Sequence, residues 1–434
     1  MLLQNLLAHR HVAHRDVCRT PAAAPLAPLS SPVRHPSQQP RIVQMKAQST
    51  TNEDMSHRPF DTVDAELERE RSESPSPMGS NASEQARKLT NTSVAVFSAQ
   101  QYVKDFMKGP MRSVFPKTHF IEAKLDESTA KLAEGCEVVN IFVNDVCNKE
   151  VIKILANVEV KLISLRCAGF DRVDVEAANA VGIKVVRVPT YSPQSVAEHA
   201  VAHMFALNRN IANAHLRTAQ GNYSLNGLVG FEMFRKTVGV IGTGAIGYEA
   251  IRILKGIGCN VLAYDVYQNP KVLDMGVEYR SLDNLLPECD IVTLHCPLLP
   301  TTYHLINRET IDKMKPGTML VNVSRGGLVD TDAVFDGLEN GHLGSVGLDV
   351  YEDEGDIFFV DHTMFNTKER MKNYNRKLNA LLSYPQVLVT PHSAFLTNEA
   401  LHNIATTTVN NITNWVLNEP LGRNEVEAPK KMTP

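Results

Sequence analysis

Residues 236–265 read KTVGVIGTGAIGYEAIRILKGIGCNVLAYD. The apolar run at 238–241 predicts a buried parallel strand. Gly242, Gly244 and Gly247 follow in G-x-G-x-x-G spacing, then a helical pattern (Ile246, Ala250, Ile253, Leu254). A second apolar run closes on Asp265. Together these make a complete βαβ unit with an acid ending its second strand. Gly242 permits the tight turn, Gly244 lets a pyrophosphate approach the backbone, and Gly247 lets helix and strand pack closely. The helix then opens with free N–H groups at Ala245 and Ile246, a site for anions. Asp265 is placed to accept hydrogen bonds from the adenosine ribose hydroxyls and to repel a 2′-phosphate, which favours NAD over NADP. Three glycines alone are equally readable as turn and packing residues. The strand, helix and acid around them argue for a dinucleotide.

Working outward from this unit, strands and helices alternate on both sides. Upstream, strand patterns fall at 94–97, 119–122, 138–143, 161–165 and 184–188, with helical patterns such as 150–156 and 173–180 between them. Downstream, strand patterns fall at 291–296, 318–323, 344–350 and 387–390. Such alternation predicts parallel sheets covered by helices. The fold class expected is therefore α/β: two Rossmann-like or flavodoxin-like domains with the active site in the cleft between them. An Ala-rich helix at 195–220 leads into the nucleotide domain and is a candidate subunit contact. A last helix at 399–417 is expected to return to the first domain. The domains expected are a substrate domain at 92–193 and 389–425, and an NAD-binding domain at 194–388.

The first ninety residues differ. Asp16 is the only acid before residue 53, among Arg10, Arg15, Arg19, Arg34, Arg41 and Lys46 and many Ala, Pro and Ser. Residues 1–52 read as an organellar transit peptide, chloroplast before mitochondrion, with a disordered cytosolic tail as the other reading. Residues 53–91 read as a disordered linker, with order beginning at Ser93. The chain has 434 residues and a net charge of −4, which carries no nucleic-acid signature. No apolar run approaches the roughly 20 residues that span a bilayer. Seven cysteines show no C-x-x-C and no His/Cys ligand spacing, so no metal site is expected and buried thiols are the plain reading. Cys167 and Cys296 lie near the expected site, and thiol-sensitive activity is a further possibility.

In doubly wound sheets, ligands meet residues just past the carboxyl ends of the strands. His295, Cys296 and Pro297, then Ser324 and Arg325, then Asp349 and Glu354, then His392 fall there. Reduction of a 2-keto acid needs a cation for its carboxylate and keto oxygen, and a proton donor for that oxygen. It also needs support for the donor's protonated form. Arg325 and His392 have the right chemistry. On placement alone, Arg325 is equally a surface ion pair, His392 a structural histidine, and the acids at 352–354 a solvated turn.

The blocks GVIGTGAIG, NVSRGGLVDTDAV, GSVGLDVYEDEGD and VTPHSAFLTNEAL resemble the signatures of the D-isomer-specific 2-hydroxyacid dehydrogenases. The likeness runs over about residues 93–420 and is nearest to NAD-dependent D-lactate dehydrogenases of the fermentative bacterial type. It implies Arg325 as the substrate arginine, His392 as the acid/base and Glu354 as its partner. It further implies Asp349 beside the nicotinamide carboxamide, and Cys296, Pro297, Val323 and Ser324 along the cofactor. Ala168 and Gly169 match the turn that receives the substrate carboxylate; Tyr191 and Phe395 match the pocket lining. The reaction implied is pyruvate to D-lactate with NADH, in a homodimer or homotetramer. Other 2-keto acids (glyoxylate, hydroxypyruvate or larger ones) and a non-catalytic NAD-sensing corepressor remain the alternatives. The stretch at 356–384 is long for the family.

Overall fold

Strand β6 (Thr237–Ile241) runs into the glycine turn, helix α7 (Ala245–Ile257) follows, and β7 (Asn260–Tyr264) pairs parallel to β6. Gly242 sits at φ 94°, which favours glycine. A Cβ at Gly247 would lie 1.9 Å from Gly242 O, so only glycine lets the helix begin there. The structure, a computed structural model, describes residues 79–372 and 374–427. The segment read as a transit peptide, and residues 53–78 of the linker, lie outside them.

Two parallel sheets carry the chain. The first has the order β2-β1-β3-β4-β5, with β1 Val94–Val96, β2 Thr118–Phe120, β3 Val138–Ile141, β4 Leu162–Leu165 and β5 Lys184–Val186. The second has the order β12-β11-β10-β9-β6-β7-β8, with β8 Glu278–Tyr279, β9 Ile291–Leu294, β10 Thr318–Asn322, β11 Leu343–Leu348 and β12 Val387–Val389. Its order reverses between β6 and β9, so the glycine turn opens at a topological switch point. Strands β3, β4, β9 and β10 are buried along their whole length, as sheets covered on both faces require.

Helix α5 (Pro193–Asn208) starts where Ser192 caps the Ser195 amide and Pro193 takes the first turn. It packs on α7 and on β10 and β11. The long helix expected at 195–220 is instead two. Asn210, at φ 50°, breaks it, and α6 (Ile211–Ala219) follows with no buried residue. The Ala-rich half from Ser195 is mostly buried. The exposed apolar side chains lie further on, at Ile211, Leu216, Leu225, Val229 and Phe234.

A second correction concerns the start of order. Helix α1 (Gly79–Asn91) lies inside the stretch read as linker and ahead of Ser93. Its composition is polar, but Leu89 finds a seat on the core beside Trp415, and packing of that kind outweighs weak local propensity. The last helix (Asn398–Leu417) buries Ala405, Val409 and Ile412 against Val94, Val96 and helix α2 (Gln101–Val114) of the first domain. Each such Ile or Val contributes about 1.5–3 kcal/mol. The long stretch at 356–384 holds two short helices, Thr367–Lys372 and Arg376–Leu382. The second of these buries Leu378 and Leu381.

Candidate active site

The carboxyl ends of both sheets face one cleft of about 540 Å³. The loop after β4 brings Ala168, Gly169 and Asp171; the loop after β3 brings Phe142; the loop after β5 brings Arg187 and Tyr191. The nucleotide sheet brings Cys296 and Pro297 after β9, Val323, Ser324 and Arg325 after β10, and His392 and Phe395 after β12. An adjoining hollow is lined by Gly244, Ala245 and Ile246.

Arg325 crosses to the opposite sheet's turn. A Cβ at Gly169 would lie 1.9 Å from its Nη2, so a glycine is what lets the guanidinium stand against the 168–169 backbone. Arg325 Nη1 donates to Ser324 O at 2.8 Å, and its Nε lies 3.5 Å from Asp171 Oδ1. The Ala168 and Gly169 amides donate to no protein group among the described residues. Cation and free amides together make a receptor for a carboxylate.

His392 Nδ1 lies 2.8 Å from Glu354 Oε1. Glu354 is fixed in turn, its Oε2 accepting from the Tyr351 amide at 3.1 Å. The other imidazole nitrogen is thereby left for the cleft that His392 lines. Phe142, Tyr191 and Phe395 form an aromatic wall, with the Tyr191 and Phe395 rings 6.5 Å apart. Burial pushes the Tyr191 phenol up to about 12, so it stays protonated.

The cofactor residues fit a dinucleotide. The first intrahelical bond of α7 is donated by Tyr248 N–H to Gly244 O, at 2.9 Å. The Ala245, Ile246 and Gly247 amides before it have no partner among the described residues, and no atom stands within 4 Å of a Cβ built on Gly244. That opening suits a pyrophosphate. Asp265 Oδ2 accepts from the Thr243 amide at 2.6 Å and hydroxyl at 3.1 Å.

Asp349 stands apart from the other candidates. It is fully buried, and its two oxygens accept from Thr390 Oγ1 and from the Ser393 and Ala394 amides. Burial pushes its carboxyl up; hydrogen bonds from His199, Thr390 and Ser393 outweigh this and hold it below the usual range. Reading the sequence missed several groups here. Arg187 donates to Ala168 O at 2.8 Å and stiffens the carboxylate turn. Phe359 sets its ring 5.7 Å from that of His392 and 5.3 Å from that of Phe142. His199 and His203 were also missed, though their four-residue spacing on a helix puts both on one face.

Known proteins resemble this chain in sequence and fold. Residues 201–394 match the family described as D-isomer specific 2-hydroxyacid dehydrogenase, NAD binding domain. The D-lactate dehydrogenase of Escherichia coli K12 is 47% identical over 321 residues, which is 74% of this chain and 96% of that one. The structure reported for the pyruvate reductase of Chlamydomonas reinhardtii aligns with a TM-score of 0.75 at 61% identity, over 78% of this chain and all of the other. The Aquifex aeolicus D-lactate dehydrogenase, solved with NAD and lactic acid, aligns at 0.68 with 30% identity, again over 78% of this chain and all of the other. The chain belongs to the D-isomer specific 2-hydroxyacid dehydrogenase family and is an NAD-dependent oxidoreductase.

Proposed function

We propose that this enzyme reduces pyruvate to D-lactate with NADH. The observation that carries the reading is the meeting of Arg325, the free Ala168 and Gly169 amides and the His392–Glu354 pair around an aromatic-walled cleft. Arg325 and the two amides take the carboxylate and orient the keto carbon. His392, protonated and held by Glu354, gives its proton to the keto oxygen, and Arg325 polarises the same oxygen. NAD(H) supplies the hydride donor or acceptor. The wall of Phe142, Tyr191 and Phe395 leaves an apolar place for a methyl group. The D handedness follows that of the D-lactate dehydrogenases the chain resembles.

A kinetic panel tests this: pyruvate, glyoxylate, hydroxypyruvate and branched 2-keto acids, each with NADH and NADPH, with chiral analysis of the product. Pyruvate with NADH giving the highest kcat/KM, and D-lactate as product, supports the reading. A higher kcat/KM for another keto acid assigns the enzyme to that substrate. Absence of turnover with every acid returns the corepressor alternative.

The reading extends to assembly and address. A second copy of the chain covers the exposed apolar surface of Ile211, Leu216, Leu225, Val229 and Phe234 in a homodimer or a tetramer. Sedimentation of the wild type against Leu225→Glu tests this; a monomeric wild type rejects it. Residues 1–52 direct the chain to the chloroplast, with the mitochondrion as the alternative. A fluorescent fusion of residues 1–60 that stays cytosolic rejects both.

A further inference from the structure

Behind His392 lies a polar cluster that the proposed reaction leaves without a task. His199 and His203 share one face of α5, their rings 4.8 Å apart. Thr390 Oγ1 is the node between them: 3.1 Å from His199 Nε2, 3.0 Å from His203 Nε2 and 2.5 Å from Asp349 Oδ1. A hydroxyl has one proton and two lone pairs. The ionised Asp349 only accepts, so Thr390 spends its proton there. One lone pair accepts from His203 Nε2, and His199 Nε2 shares its proton between the other lone pair and Asp349 Oδ1, 3.2 Å away, which assigns each ring its proton on Nε2. His203 Nδ1 is buried with no partner among the described residues, as suits the bare acceptor nitrogen of a neutral ring.

The cluster reaches His392 through Asp349. The Asp349 side chain takes the Ser393 and Ala394 amides, each at 2.8 Å, and its backbone carbonyl takes the His392 amide at 2.8 Å. Three successive amides, from His392 onward, are tied to one residue. His392 itself sits at φ 53°, a conformation that is unfavourable for a non-glycine residue and persists only where the surroundings impose it. We propose that Thr390, His203 and His199 are positioning residues. They hold the Asp349 carboxylate in the one orientation that pins the 392–394 turn and aims the His392 imidazole. The donor atoms of His199, His203 and Asp349 lie within 4.8 Å of one another, as in a divalent metal site. The Thr390 hydroxyl already satisfies them, so the assignment is to a hydrogen-bonded brace.

The inference rests on His392 as the acid/base, and the experiment separates the two. Steady-state kinetics are measured on full-length enzyme with the keto acid turned over fastest, for wild type, His392→Ala, Thr390→Val, Thr390→Ser, His203→Leu and the Thr390→Val/His203→Leu double variant. NADH affinity is read by fluorescence and folding by circular dichroism. Thr390→Val is expected to lower kcat about tenfold or more, with NADH affinity and KM within about twofold, because a misaimed imidazole impairs the chemical step and spares binding. Thr390→Ser restores most of the loss. His203→Leu lowers kcat about threefold, and the double variant is no worse than Thr390→Val, since both act through one hydroxyl. Wild-type kcat in Thr390→Val overturns the brace, and so do losses that multiply in the double variant. Activity lost on chelation and restored by zinc overturns it in favour of a metal. An inactive His392→Ala beside an unimpaired Thr390→Val sinks this inference alone; an active His392→Ala sinks the acid/base reading and the brace with it. If Thr390→Val does not fold, His203→Leu decides: a lower kcat at unchanged NADH affinity supports the brace, and wild-type kcat overturns it.

Discussion

His392 Nδ1 and Glu354 Oε1 are 2.8 Å apart, and each side chain is only 12% exposed. A carboxylate held this close accepts the hydrogen bond of Nδ1–H, fixes the ring and leaves Nε2 to the cleft. The pair joins the loops that follow β11 and β12: Glu354 opens a short 3-10 turn held by the Tyr351 amide, and His392 lies three residues past Val389.

Glu354→Gln keeps the size of the side chain and removes its charge. Keto-acid reduction needs the protonated imidazole, whereas oxidation of the hydroxy acid starts from the neutral one. The variant is therefore expected to lose about 10- to 100-fold in kcat for reduction and distinctly less for oxidation. Rates in both directions at one pH check this. Equal losses would assign Glu354 a purely structural task.

The parts of the site that could be read from the sequence are those whose logic is local. The glycine turn announces itself within 30 residues, and Arg325 and His392 sit in short blocks at strand ends. The parts that escaped are built from distant residues. His203 meets Thr390 across 187 positions, and Phe359 sets its ring against Phe142 and His392 from a distant loop. The break at Asn210 escaped because a left-handed asparagine leaves no mark in an Ala-rich helical pattern. Helix α1 escaped because one half-buried leucine in a polar stretch is a weak signal.

Asp265 has two tasks that a substitution separates. Its Oδ2 braces the glycine turn through Thr243, and its charge at the end of the second strand is expected to repel a 2′-phosphate on the ribose. Asn keeps an oxygen for the Thr243 amide and loses the charge; Ala loses both. Asp265→Asn is expected to lower KM for NADPH about tenfold while holding KM for NADH within about threefold. Asp265→Ala is expected to weaken both cofactors relative to Asn. Initial rates with each cofactor decide, and an unchanged NADPH preference in Asp265→Asn removes the charge argument.

Acid is expected to weaken the fold through two histidines outside the catalytic pair. Burial pushes His203 and His295 down to about 4 from 6.5. Between these values the unfolded chain binds protons that the native state refuses. The stabilisation is thus fully present above about pH 6.5 and is lost as pH falls toward 4. The slope is about 1.4 kcal/mol per pH unit for each histidine. Asp349, held low, acts in the same direction at still lower pH. Urea unfolding at pH 7, 6 and 5 is expected to show falling stability, with a flatter profile in His295→Gln. A profile as steep in the variant as in the wild type would exclude His295 as a source.

Cysteine chemistry follows from burial as well. Cys296 is the one described cysteine that is not fully buried, and it lines the cofactor cleft beside Pro297. Burial pushes its thiol up to about 11, and that of Cys167, beside the carboxylate turn, up to about 12. Only the thiolate reacts readily with alkylating agents and oxidants. At pH 7.5 a thiol of pKa 11 is ionised in about one molecule in 3,000. Millimolar iodoacetamide is therefore expected to leave activity intact over an hour, and dithiothreitol to leave kcat and KM unchanged. Rapid inactivation that NADH prevents would show instead that Cys296 ionises easily, and would turn the cofactor cleft into a redox-sensitive site.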